Sequence, residues 1–494
     1  MKIQKIGICN FKGFRGDYKF DLNKSCKNLL VYGENGSGKS SLYRALKLFL
    51  NSSGDSGLDF SSNKNIFNPK AQEGFIKLLL DDGQEYAWSD SQNDVLNTPI
   101  FIEANKASGF IDYKSLLKTH LAYIVGGTTT NMFPLLIDLL SSVINDYTGN
   151  TFGEDWEKIN ANIPKRNTER QLTILQEQID NFNIGFKAKL NELLELSNDI
   201  LNDFGYQIEL VELYFPNVFY DKPDHLIGDQ FITMKVKFQS SEINEHHYFL
   251  NEAKLSAIAI SIYLATLLLT PKTDLQVLVL DDILIGLDMS NRFPLIEILN
   301  ERFDSYQIFL LTYDKAWFEI IKQYMPDNTW KSIELYYDTT HGFEMPVYVE
   351  NMEYLEKAKE YLGKKDYKAC VVHIRSAYEN TLKKYCGNNK LPVEYKQKPR
   401  RYSSDDFWTA INKENGLIPK DLKANIEVHR THILNPLCHD DPVLTVEAEI
   451  QNTIQIIEEL KSVLTEANKK KLLVKAQNAY GGEDQFVEAI TGGK

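Results

Sequence analysis

Residues 33–41 read Gly33-Glu34-Asn35-Gly36-Ser37-Gly38-Lys39-Ser40-Ser41. They follow the apolar run Leu29-Leu-Val-Tyr32 and precede the helix-period segment Leu42 to Leu50. A strand, the loop G-x-x-x-x-G-K-[ST] and a helix in that order form a phosphate cradle. Its glycines let successive backbone N–H groups turn inward onto phosphate oxygens, and the helix adds its positive dipole end. In this reading Lys39 reaches the β- and γ-phosphates and the Ser40 hydroxyl ligates Mg²⁺. The spacing therefore predicts a site for ATP and Mg²⁺ in an α/β fold.

Working outward, 494 residues predict two or three domains. A chain 43% hydrophobic and 25% charged has the composition of a globular protein. No apolar stretch stands out as a bilayer span of about 18–20 residues, so no membrane partner is expected. The N-terminus, Met1-Lys-Ile-Gln-Lys-Ile6, leads into a strand pattern rather than a secretory leader. Five cysteines, scattered without a C-x-x-C pair, argue against a zinc site or disulfide framework and predict a cytoplasmic protein. The net charge of −13 excludes a globally basic nucleic-acid binder. It leaves open a nucleic-acid contact through a local basic cluster, Lys396 to Arg401 or Lys469 to Lys471.

Residues 2–32 alternate apolar and polar as two or three strands, and two more are expected over 76–80 and 85–88. Residues 115–205 turn to helix period, broken at Gly126 to Thr130, and predict a short coiled-coil-like hairpin. Strand patterns return over 207–214 and 230–238, followed by a helix over 252–269 and the buried-strand run Val277-Leu-Val-Leu280. A helix over 292–303 and a strand over 307–311 complete this part, and the chain beyond about 350 is almost wholly helical. The resulting division is 1–114 and 206–345 as two lobes of one head, 115–205 as an insertion, and 346–494 as an all-helical C-terminal domain.

The apolar run ends in Asp281-Asp282, placing a carboxylate at a strand's C-terminal end, where Mg²⁺ sits in such sheets. Asp281 is the expected Mg²⁺ partner and Asp282 the general base for the attacking water. Paired with a phosphate loop some 240 residues upstream, these two acids gain weight.

That separation resembles the split ABC-type ATPase head of the SMC, Rad50 and RecF proteins. Further residues carry the resemblance. Asn10-Phe-Lys-Gly-Phe-Arg15 resembles the family's opening motif, which implies Arg15 at the nucleotide. Leu250-Asn251-Glu252-Ala253-Lys254-Leu-Ser256 stands in the place of the signature, Gly286-Leu-Asp288 in that of the D-loop, and Leu310-Leu-Thr-Tyr313-Asp314 in that of the switch. The family's Q-loop has a candidate in Gly109-Phe-Ile-Asp-Tyr-Lys114, which lacks the glutamine and reads equally as a core strand and turn. The resemblance implies that the signature meets nucleotide held by a second protomer, hence a homodimer or higher homo-oligomer. Three departures from the pattern, Asp282 for Glu, Asn251 with Ala253 in the signature, and Tyr313 for the switch His, imply slow hydrolysis and a switch rather than a motor.

In the C-terminal region, Arg375 and Glu379 lie one helical turn apart, and Arg430 precedes His439 with Pro436 between them. This layout resembles HEPN-type and anticodon-nuclease domains, in which an Arg and a His cleave RNA. A helical docking domain is the competing reading. The whole arrangement resembles the ATPase subunits of bacterial anti-phage systems, Septu-type and retron-associated, which implies a separate HNH-type nuclease as partner. A RecF- or Rad50-like repair ATPase is the third reading.

Overall fold

The computed structural model describes residues 1–494 except 68–72, 121–123, 126–128, 165, 167, 244–245, 285, 288, 326–327, 339–344, 351–353, 395–402, 415, 435–446 and 480–494. Two compact units are present, Met1–Glu350 and Asn351–Lys494.

The first unit is built on a six-stranded sheet in the order Met345–Glu350, Trp330–Asp338, Asn28–Gly33, Gln307–Thr312, Val277–Asp281, Gly109–Asp112. All its pairs are parallel except the one at the Met345–Glu350 edge. The central strands are near-continuous Leu, Val and Ile because both faces are covered. Their alternation divides two cores. Leu30, Leu278, Leu280, Ile308 and Leu310 face a helical layer. Leu29, Val31, Val277, Val279, Phe309 and Leu311 face the helix Lys39–Asn51, through its Leu42, Leu46 and Phe49, and a second sheet. That second sheet is antiparallel, in the order Asp17–Asp21, Ile3–Cys9, Phe75–Leu80, Glu85–Ser89.

Residues 115–205 depart from the expected hairpin. The segment holds one 35-residue helix, Glu169–Asp203, with the short helices Phe133–Leu139 and Phe152–Ala161. The long helix buries Leu175, Ile179, Phe182, Phe186, Leu190, Leu193 and Ile200, a stripe at helical spacing. Phe133, Phe152, Trp156 and Phe215 ring Phe182 and Phe186 at centroid distances of 5.0–6.1 Å. These aromatics hold the helix against the head's core instead of against a second long helix.

The helix Glu252–Leu269 corrects the expectation that no segment is apolar enough to span a bilayer: 18 residues long, it has a mean hydropathy of 1.6. Two thirds of it (67%) is buried inside the fold, which explains the composition, since a helix covered all round has no polar face.

The second unit is helical, with helices at Tyr354–Gly363, Tyr367–Asn388, Ser404–Asn412, Lys420–His429 and Glu447–Ala479. It has its own core of Cys370, Ile374, Tyr378, Leu382, Trp408, Ile411, Ile450 and Leu460. The basic run Lys396 to Arg401 lies outside the described residues. In the other cluster, Lys471 Nζ donates to Glu414 at 2.6 Å, so that lysine is neutralised.

Candidate nucleotide site

Parallel pairing brings the carboxyl ends of four strands into one row: Tyr32 opposite Thr312, Leu311 opposite Asp281, and Asp281 opposite Asp112. Ligands of open parallel sheets bind outside such ends. The loop after Gly33 turns directly into the helix Lys39–Asn51, and Gly38, its N-cap, has φ +98°, a conformation that favours glycine. The first-turn amides of this helix are thereby aimed at the row. Arg15 lies on the loop between the first two strands, where the Gly13 amide donates to Ser41 Oγ at 3.1 Å. Gly33, Asn35, Gly36 (φ +87°) and Ser37 form the remaining wall.

Lys39 is 5% exposed, and its ammonium donates to the Gly33 carbonyl at 2.6 Å and the Glu34 carbonyl at 3.3 Å. Asp282 Oδ2 lies 3.6 Å from it. Asp281 is 6% exposed, and the Ser40 side chain is hydrogen-bonded to it. Burial, with the charges of Asp282 and Asp112 behind it, pushes the Asp281 carboxyl up to about 6 against the opposing pull of Ser40 and Lys39. Its Oδ1 is buried without a hydrogen-bond partner. A buried carboxylate oxygen lacking a donor, hydrogen-bonded through its group to the hydroxyl beside a phosphate cradle, fits a hard divalent cation. Among the described residues no cluster of three or more His, Cys, Asp or Glu is placed to hold a metal ion.

Asp282 has φ +53°, a left-handed conformation that a non-glycine residue holds only when its surroundings impose it. The Leu311 carbonyl accepts from its amide at 3.1 Å, and the Tyr313 amide donates to its Oδ1 at 2.8 Å. Burial raises its pKa, while Lys39 and the Tyr313 amide oppose the rise. The Tyr313 side chain itself is 43% exposed, so its backbone rather than its phenol holds Asp282.

The signature candidate forms a separate group. Asn251 is the N-cap of Glu252–Leu269, its Oδ1 accepting from the Lys254 amide at 3.1 Å. The helix therefore begins within the signature candidate. Ala253 is buried and Glu252 exposed, with Tyr113 Oη 3.4 Å from Glu252 Oε1. Asp288 falls outside the described residues, as does His439. Arg375 donates to Glu379 at 3.2 Å on one helix. Arg430 is bound by both Glu427 (2.7 Å) and Asp405, and sits on a π turn, Arg430–Leu434.

Two residues stand in quoted stretches, the Q-loop candidate and the run after the D-loop, to which the motif reading gives no individual role. Asp112 ends the edge strand Gly109–Asp112, in register with Asp281, and its Oδ1 accepts from the Ser115 amide at 2.8 Å and hydroxyl at 2.5 Å. The strand pattern ahead of it was the available signal. Arg292, four residues past the D-loop candidate, ties that loop to the switch.

Residues 1–124 match the family model of the AAA ATPase domain. The matched segment carries Lys39, Ser40 and Asp112. Solved structures similar to this chain include an Smc head bound to the C-terminal winged-helix domain of ScpA (14% identity, TM-score 0.41, covering 72% of this chain and 100% of that one). Another is an Smc head with an extended coiled coil bound to the C-terminal domain of ScpA, derived from Pyrococcus furiosus (14%, 0.43, covering 74% and 99%). A third is the recombination mediator RecF with ATPrS (14%, 0.42, covering 70% and 98%). No curated protein matches the chain.

Proposed function

We propose that this chain is a slowly hydrolysing ABC/SMC-type ATPase whose heads pair around nucleotide and gate a partner nuclease in bacterial anti-phage defence. The observation that carries the nucleotide part is the convergence of Lys39, Ser40, Asp281 and Asp282 at the carboxyl end of the parallel sheet. Ser40 and Asp281 would hold Mg²⁺, which neutralises phosphate charge when bound. Lys39 leaves Asp282 and its carbonyl partners for the β- and γ-phosphate oxygens. Asp282 then accepts a proton from the water that attacks the γ-phosphorus, as the bond to the bridging oxygen breaks. Its carboxylate, one methylene shorter than glutamate, reaches less far, which supports slow turnover.

Pairing rests on the start of Glu252–Leu269, where Asn251 takes the Lys254 amide and the Glu252 and Ala253 amides ahead of it would meet the γ-phosphate of a partner's nucleotide. The defence assignment rests on the resemblance of a head, a short helical segment and a helical C-terminal domain to Septu-type ATPases, which work with an HNH nuclease in the cytoplasm. Both candidate arginines, Arg375 and Arg430, are held by carboxylates, which supports docking over RNA cleavage in that unit. The test is co-expression with an HNH-type nuclease, sought first among the neighbouring genes. Capture by the full chain and loss of capture by residues 1–350 is the expected result. Capture by both would overturn the docking role, and strong stimulation of the ATPase by DNA would redirect the reading to repair.

A further inference from the structure

Arg292 links the D-loop candidate to the switch candidate, and neighbouring contacts extend that link to the signature helix and to Asp282. Arg292 Nε donates to the Leu287 carbonyl at 2.9 Å, and its Nη1 to Asp314 Oδ2 at 2.6 Å. Its guanidinium lies 5.8 Å from the ring centroid of the fully buried Trp317, and the side chain is only 13% exposed. Asp314 caps the helix Lys315–Tyr324 by accepting from the Trp317 amide at 3.0 Å. The residue before it, Tyr313, gives its amide to Asp282. On the other side, Gly286 packs so closely on the signature helix that an added Cβ would lie 2.2 Å from Ser256 Oγ. A continuous set of contacts thus runs from the start of that helix, through the loop at Gly286 and Leu287, through Arg292 and Asp314, to Asp282.

We propose that Arg292 is a positioning residue: it locks the loop beside the signature helix to the switch, and so fixes the orientation of Asp282. The inference rests on the reading of Asp282 as the base. A guanidinium suits the task because its planar fork serves a carbonyl and a carboxylate at once, each from its own nitrogen. A displacement of the signature helix on pairing would shift Gly286 and Leu287, and with them the Tyr313 amide that orients Asp282. The orientation of the base would then depend on whether the signature is engaged.

The experiment measures single-turnover hydrolysis of labelled ATP by the full chain, beside equilibrium ATP binding. The variants are Arg292→Gln, Arg292→Lys and Asp314→Asn; Asn at 314 still caps the helix. Lysine at 292 keeps the charge and the packing of the stem but cannot bridge both partners, which guards against a folding artefact in the glutamine variant. All three should lower the rate by about 10- to 100-fold, the effect of misplacing a reacting group by about an ångström. ATP affinity should stay within about twofold. The decisive readout is epistasis: in an Asp282→Asn background, Arg292→Gln should slow hydrolysis no further, since there is no base left to orient. An unchanged rate in Arg292→Gln, or an equal fold-loss in both backgrounds, would overturn the positioning role. If Asp282→Asn alone hydrolyses at the wild-type rate, the base assignment itself falls, which is a separate outcome.

Discussion

Replacing Asp282 by Asn separates two effects of one carboxylate. Asparagine is isosteric and still accepts the Tyr313 amide, which reaches Asp282 Oδ1 at 2.8 Å, so the strained backbone keeps its partner. Lost are the proton acceptor and the charge facing Lys39 at 3.6 Å. At an effective dielectric constant near 20, that pair is worth about 4–5 kcal/mol of Coulomb energy. Desolvation and the 19% exposure of the Asp282 side chain reduce the net value to about 1–2 kcal/mol. Freed from this competitor, Lys39 should bind ATP about tenfold more tightly. Hydrolysis should fall by about 10²- to 10⁴-fold, the usual contribution of a general base. Calorimetric titration with ATP and Mg²⁺ gives the first quantity, and rapid-quench single turnover the second. Equal turnover by wild type and Asp282→Asn would refute the assignment of the base, and weaker ATP binding would refute the competition between Asp282 and phosphate.

Lys39→Ala removes the charge-assisted donor to two phosphates, worth about 3 kcal/mol at the low end, so ATP affinity should fall by about two orders of magnitude while the melting curve shows an intact fold; unchanged affinity would sink the phosphate-loop reading. Asp281, raised to about 6 in the fold against an ordinary 3.8, holds its proton below that pH and must release it to bind a cation. Mg²⁺-dependent nucleotide affinity should therefore climb about tenfold from pH 5 to pH 7, with proton uptake by the buffer, and Asp281→Asn should abolish the climb. The linked effect on the unliganded fold has the opposite sign: stability conferred by the protonated carboxyl is lost as pH rises through 6. Gly286→Ala would force a Cβ to within 2.2 Å of Ser256 Oγ, costing about 1–3 kcal/mol and lowering the melting temperature, with partial recovery when Ser256→Ala is added.

Much of this architecture is legible in local pattern. The helix Glu252–Leu269 has the bounds that its apolar run announces, and Val277–Asp281 is the buried strand its composition describes. The helix period over residues 115–205 announces helix, yet suggests a hairpin where one long helix, Glu169–Asp203, forms. It does not say what covers the apolar stripe, because that depends on aromatics as distant as Phe133 and Phe215. The same limit applies at the site. Lys39, Ser40, Asp281 and Asp282 stand in recognisable motifs, and their strands bring them together. Asp112 stands within the Q-loop candidate, but its relation to Asp281 exists only through sheet register. Arg292 contacts Asp314 across 22 residues, a pairing that no periodicity encodes.

The central claim is that nucleotide joins two copies of this chain through the capped start of Glu252–Leu269. Native mass spectrometry of the full chain with ATP and Mg²⁺, in the slow Asp282→Asn background, tests it most directly. The account predicts a dimer carrying two ATP molecules, and its loss in Asn251→Arg, in which each monomer still binds one ATP with unchanged affinity. A chain saturated with ATP that stays monomeric, or an Asn251→Arg variant that pairs as well as its parent, would contradict it.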